Sequence, residues 1–203
     1  MTEHFLHDDH RDDLLAKIVG RVLGWARGQP EWDQPPRLYG LYLRENGAAA
    51  VDMSLPDAVW ATGNHPAEVL AAMTHVCRQP TEASALLASW LPGGLYGLAL
   101  QAEGYSLSAP EGATEAEERE AVAWVAQHAI ADHPWGSETK FVSAVDLDGC
   151  FYYAEHRRGE DAEPVVHVAR PGDDDVVGGA MPIALGQLLD ALHERLANAP
   201  GLN

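Results

Sequence analysis

Leu14, Leu15, Ile18, Val22 and Trp25 recur at the three-to-four-residue spacing that lines one face of a helix. Asp12 and Asp13 stand at its start, where carboxylates meet the positive end of the helix dipole, and Gly28 and Pro30 lie beyond its end. A Pro-rich connection over 29–36 leads to Leu38-Tyr39-Gly40-Leu41-Tyr42-Leu43, a run of strand composition. Asn46-Gly47 predicts a tight hairpin after it and a returning strand over 48–53. A short loop with Pro56, Trp60 and Gly63 precedes a helix that carries Pro66 in its first turn, where a missing N–H costs least. Val69, Leu70, Met73, Val76 and Cys77 form its apolar face, and it ends before Pro80. A further helical piece over 81–90 stops at Pro92-Gly93-Gly94.

The pattern then turns back to strands. Residues 95–100 read as a strand that continues through Tyr105 and Leu107. Thr114 with Glu117 forms a capping box for a helix through Val122, Val125, Ala129 and Ile130, broken at Asp132-His133-Pro134. Strands over 141–147 and 150–155 flank Asp148-Gly149, read as a second two-residue hairpin, and a third strand covers 164–170. After Asp173-Asp174-Asp175 and Gly178-Gly179, Leu185, Leu188, Leu189, Leu192 and Leu196 mark the last helix. Strands and helices do not alternate regularly enough for a parallel sheet. The expected fold is α+β: a largely antiparallel sheet of five or more strands with about four helices packed on it, in a single domain over 1–203 whose first 12 residues form a mobile segment.

Leu38-Tyr39-Gly40-Leu41-Tyr42-Leu43 and Leu95-Tyr96-Gly97-Leu98-Ala99-Leu100 match in five of six places, and each is followed by a glycine, Gly47 or Gly104. A duplicated β-β-α unit would put those glycines at equivalent sites; chance convergence of two short strands is the competing explanation. Glycine within a strand marks a bulge or a close backbone approach in either case.

Charge narrows the partners. The chain has 31 acidic against 13 basic residues, a net charge of −18, and its only lysines are Lys17 and Lys140. Such a surface repels nucleic-acid phosphates and anionic lipid, so neither nucleic acid nor membrane is expected as a partner. It suits solubility, or a basic protein partner. No apolar run approaches the roughly 20 residues needed to span a bilayer. Cys77 and Cys150 form neither a disulfide framework nor CxxC pairs, so they read as core-filling thiols in a cytoplasmic, reducing setting.

Over residues 36–196 the layout resembles uncharacterised proteins of actinobacteria and their phages. The resemblance rests on His65-Pro66-Ala67-Glu68-Val69-Leu70, Leu95-Tyr96-Gly97-Leu98-Ala99, Ala144-Val145-Asp146-Leu147-Asp148-Gly149 and Ala180-Met181-Pro182. It implies the chain layout and a cytoplasmic bacterial setting, and it supplies no catalytic residue.

Chemistry-bearing residues are few. His4, His7, Asp8, Asp9 and His10 have metal-ligand types but sit ahead of the first helix, without the outer support a site needs. His128 and Asp132 stand four apart on one helix face, yet a helix C-terminus favours histidine without any metal. His156 and His167 fall on neighbouring strands. Cys150 follows a turn and lacks a catalytic cysteine motif; no GxSxG, GxxxxGK[ST] or HExxH is present, and Asp173-Asp174-Asp175 lacks the ligand spacing of a calcium loop. No metal and no cofactor are expected. Trp32, Trp60, Trp90 and Trp135, in or beside loops, are the candidate binding residues, since tryptophans with one wet edge are enriched at interfaces. The sequence thus favours a non-enzymatic interaction or regulatory protein that binds another protein, with a homodimer as compatible as a monomer. A small cytoplasmic hydrolase with a cleft near the glycine-bearing strands is the rival.

Overall fold

The computed structural model describes residues 8–44, 47–63, 65–79, 94–107, 109–110, 112–126, 130–173 and 180–197. In chain order the elements are α1 (Asp8–Arg27), β1 (Arg37–Arg44), β2 (Gly47–Asp52), the single turn α2 (Asp57–Trp60), α3 (Pro66–Arg78), β3 (Leu95–Leu107), α4 (Glu115–Ala126), β4 (Gly136–Asp146), β5 (Phe151–Arg157), β6 (His167–Ala169) and α5 (Ala180–Ala197). A 3-10 turn, Ile130–Asp132, lies between α4 and β4. The six strands form one sheet in the order β2-β1-β3-β4-β5-β6, and every neighbouring pair is antiparallel. The protein is therefore α+β, with four helices of seven or more residues around an antiparallel sheet. No described helix is long and apolar enough to cross a membrane.

Both faces of the sheet are covered, which explains why its strands read as nearly continuous apolar runs. On one face α3 and α5 pack Leu70, Met73, Leu185, Leu188 and Leu192 against Leu38, Leu98, Leu100, Val145 and Phe151. On the other, α1 lays Leu15, Ile18, Val19, Val22 and Leu23 over Tyr39, Leu41, Ala99, Val142, Ala144 and Tyr152. Alternate residues of each strand serve alternate cores, as the two-residue period of a strand dictates.

Local signals place most element ends. His65 caps α3 by accepting the Ala67 N–H at 3.1 Å, and Pro66 follows in the first turn. The Thr114 side chain accepts the Glu117 N–H at 3.4 Å while Glu117 Oε2 accepts the Thr114 N–H at 2.8 Å, the reciprocal capping box expected for α4.

Other expectations are corrected. Asp8–Asp12 are helical, because Arg11 and Asp12 are tied to residues across the fold (below). Trp25 is 51% exposed, with the Arg37 guanidinium 5.4 Å from its ring centre, and Val76 is also exposed. Trp60 ends a helical turn and is 93% buried, where a surface loop was expected. The β4–β5 connection is a three-residue loop, 147–149: Asp146 N–H donates to Cys150 O at 3.2 Å, Gly149 N–H to Asp146 O at 3.1 Å, and Gly149 has φ +80°. Asp-Gly also suits this loop, a turn followed by a left-handed bulge residue. Strand β6 has three residues, shorter than the expected run over 164–170. Helix α4 is described as far as Ala126, Ala129 lies outside the described residues, and Ile130 belongs to a 3-10 turn. The internal similarity is not a duplication of β-β-α units. Gly47 opens β2 opposite Arg44, whereas Gly104 lies inside the unbroken 13-residue β3 opposite Thr139. The predicted helix over 81–90, Asn46, His128 and Gly178-Gly179 lie outside the described residues.

Candidate functional site

Two places gather chemistry, at opposite ends of β3. The first is an acidic, aromatic groove beside the connection from α1 to β1. Its frame is a cross-strand pair, Glu103 on β3 opposite Lys140 on β4, with Oε1 and Nζ 3.7 Å apart. Lys140 is 2% exposed and donates to the carbonyls of Ala26, Gln29 and Glu31 at 3.1, 2.8 and 2.9 Å. Glu103 Oε2 accepts the N–H groups of Asp33 and Gln34 at 2.5 and 3.3 Å. One buried ion pair thus holds carbonyls on one stretch of the connection and amides on the next. Asp33 is held at φ +63°, a left-handed conformation uncommon outside glycine.

This clamp fixes Trp32. Its ring lies between Lys140 Nζ, 4.9 Å from the ring centre, and the Arg158 guanidinium, 5.1 Å from it. Arg158 in turn pairs with Glu138. A guanidinium of the chain itself therefore rests against an aromatic face and a carboxylate, the pairing that recognises arginine generally. Next to it, Trp32, Asp33, Asp57, Trp60, Tyr105 and Glu138 line a hollow of about 530 Å³. A second hollow of about 300 Å³ shares Pro35, Pro36, Asp57 and Trp60 with it. Trp60 lines both, and its indole N–H, closed off from solvent, has no hydrogen-bond partner among the described residues.

Of the four tryptophans expected to bind, Trp32 and Trp60 converge here. Trp135 does not: it meets His133 edge-on at 5.2 Å, and His133 meets Trp124 in the same manner on its other side. Trp90 lies outside the described residues. His133 Nδ1 accepts the Trp135 N–H at 3.1 Å, so this histidine shapes the turn before β4. His156 faces Lys140 across β4–β5; burial, with Arg27 and Lys140 nearby, holds its imidazole below the usual range.

The second place lies at the other end of the sheet, where the start of α1 meets the β4–β5 loop. Tyr152 OH donates to Asp146 Oδ2 at 2.8 Å, with Asp12 Oδ1 3.5 Å away. Asp146 Oδ1 accepts the Cys150 N–H at 2.9 Å. Arg170 reaches Asp12 Oδ2 with Nε at 2.9 Å and its terminal nitrogen at 2.7 Å. Arg11 pairs with Asp148 at 3.1 Å, and Tyr96 OH donates to Asp148 at 2.5 Å. His10, Asp12, Asp13, Arg170 and Asp173 line a neighbouring basin of about 690 Å³.

His, Asp and Arg groups converging on a cavity are what a hydrolase would need, yet the thiol beneath them is set against nucleophilic work. Desolvation, with Asp146, Asp12 and Asp148 around it, pushes Cys150 up to about 11. Catalytic cysteines need the reverse, a cationic neighbour that favours the thiolate. The groove near Gly104 has no His, Cys or Ser among its described lining residues.

Comparison with protein-family models, with curated proteins and with solved structures finds no match. The functional reading rests on the chemistry of the two places. Sequence inspection missed the Glu103–Lys140 clamp and the Asp12–Asp146–Cys150 cluster. The first left one trace, a lysine directly before the mostly apolar run Phe141-Val142-Ser143-Ala144-Val145.

Proposed function

We propose that this is a non-enzymatic interaction protein, acting in a reducing cytoplasm, that binds an extended basic segment of another protein in the Trp32–Trp60 groove. The observation that carries this reading is the Arg158 guanidinium resting on Trp32 and paired with Glu138, beside a hollow also lined by the exposed carboxylates Asp33 and Asp57. The carboxylates suit arginine or lysine, and the prolines and Tyr105 offer apolar walls. The stacking of Arg158 on Trp32 supports arginine as the favoured side chain. A net charge of −18 speeds the approach of a cationic partner and disfavours acidic ones.

Selection of randomised displayed peptides on the full chain tests this. Sequences rich in Arg or Lys should be enriched, bind less tightly as salt rises, and lose roughly tenfold in affinity with Asp57→Asn or Asp33→Asn, about 1.4 kcal/mol each. Enrichment of acidic or purely apolar sequences, or binding indifferent to both substitutions, would overturn it.

A further inference from the structure

We infer that Asp12, Asp146 and Cys150 form a binding site for a divalent cation of the zinc class, separate from the groove and independent of its proposed role. One ligand atom from each lies within 4.8 Å of the others. A carboxylate pair alone would not define a site. The further observation is the thiol: Cys150 is 94% buried, its Sγ has no hydrogen-bond partner among the described residues, and carboxylate oxygens of Asp12 and Asp146 lie within 4.8 Å of it. A buried soft donor aimed at two hard anionic donors is a set that holds a borderline-soft cation.

The surroundings fit metal chemistry. Arg170 grips Asp12 through Oδ2, while Oδ1 has the longer 3.5 Å contact with the Tyr152 hydroxyl. Tyr152 OH and the Cys150 amide fix the Asp146 carboxylate. These are the outer contacts that orient ligands in metal sites. The basin lined by Asp12 and His10 supplies an entry path from solvent. Binding is written Cys150–SH + Zn²⁺ → Cys150–S–Zn⁺ + H⁺, with the proton released to solvent. One thiolate and two carboxylates leave the fourth tetrahedral position to water. The apo fold already gives Asp12 and Asp146 partners, so the cation adds stability without being required for folding.

Zinc titration of the metal-free full chain by calorimetry, in buffers of different ionisation enthalpy, tests this together with cobalt absorption. One equivalent should bind with release of about one proton per ion near neutral pH. Cobalt should show a thiolate charge-transfer band in the near ultraviolet. Cys150→Ser should abolish that band and, like Asp12→Asn, weaken zinc binding by roughly 10- to 100-fold or more. Combined alanine substitution of His4 and His7 should leave the band intact. A wild-type chain without the band overturns the site, as does zinc binding that survives Cys150→Ser but disappears with the two histidines, which would show adventitious binding at the N-terminus. Basic-peptide binding is read on the same variants, so failure of the groove and failure of the metal site are distinguishable.

Discussion

Lys140 illustrates how much one side chain can hold. Its ammonium is the shared donor for three carbonyls at and beyond the end of α1, with Glu103 beside it. Replacing it by Met would leave those carbonyls and a largely buried carboxylate unpaired, a loss of about 3 kcal/mol in urea unfolding. Trp32 emission should shift in the same variant, because its cationic neighbour and its loop anchor vanish together; a variant as stable as the wild type would refute the clamp. Asp146 gives a prediction in pH. Burial, foremost, raises its carboxyl above the ordinary range, so folding favours the protonated form. That contribution is complete below the unfolded-state pKa and is lost as pH rises through the higher folded-state value. Asn does not titrate, so the stability of Asp146→Asn relative to wild type should climb with pH across that window. Urea midpoints measured with chelator present would show it, and a difference that falls with rising pH would count against it. None of this chemistry was legible from spacing, because Asp12 lies far from Asp146 and Cys150 along the chain and α1 alone brings them together. The tryptophans were half legible. Aromatic loop residues announced a surface role, but only the Glu103–Lys140 pair decides that Trp32 joins Trp60 while Trp135 packs on His133.

Among elements, β3 and β4 approach closely at Gly97. A Cβ on Gly97 would fall 2.5 Å from Val145 O, so Gly97→Ala must push β4 away beside Asp146. The expected loss is about 3 kcal/mol, with weaker zinc binding as a corollary of the displaced carboxylate. Gly24 of α1 has nothing within 4 Å of the same position, and Gly24→Ala should gain about 0.5–1 kcal/mol from the higher helix propensity of alanine. Thermal melts of the two variants should move in opposite directions; movement in the same direction would refute the contrast. Helices α1, α3 and α5 were legible because an apolar stripe repeats over three or more turns with caps at hand. The β4–β5 loop was misjudged by one residue because Asp-Gly serves two turn geometries, and only the Asp146–Cys150 backbone pairing separates them. Trp25 misled because it keeps the helical period of the buried stripe while resting against Arg37 at the surface.

Across the whole molecule the charges oppose compaction. Glu115, Glu117, Glu118 and Glu120 are exposed on α4, and Glu160, Asp161 and Glu163 on the turn after β5. Repulsion among them is screened over a Debye length of about 10 Å at 0.1 M salt, so melting temperature should rise from very low to moderate sodium chloride. A flat or falling curve would show that local ion pairs outweigh the net charge. The division of the sheet into two faces has a consequence for synthesis. Among the described residues α1 is the helix that covers its face, and much of its apolar stripe rests on β4 and β5, made more than a hundred residues later. On a ribosome adding about 5–20 residues each second, that stripe waits on the order of ten seconds for its partners. A nascent chain stalled before β4 therefore displays the Leu15, Val19 and Leu23 stripe with only β1, β2 and β3 to dock on, and the acids Asp12 and Asp13 at its start favour hydration of that half-covered helix.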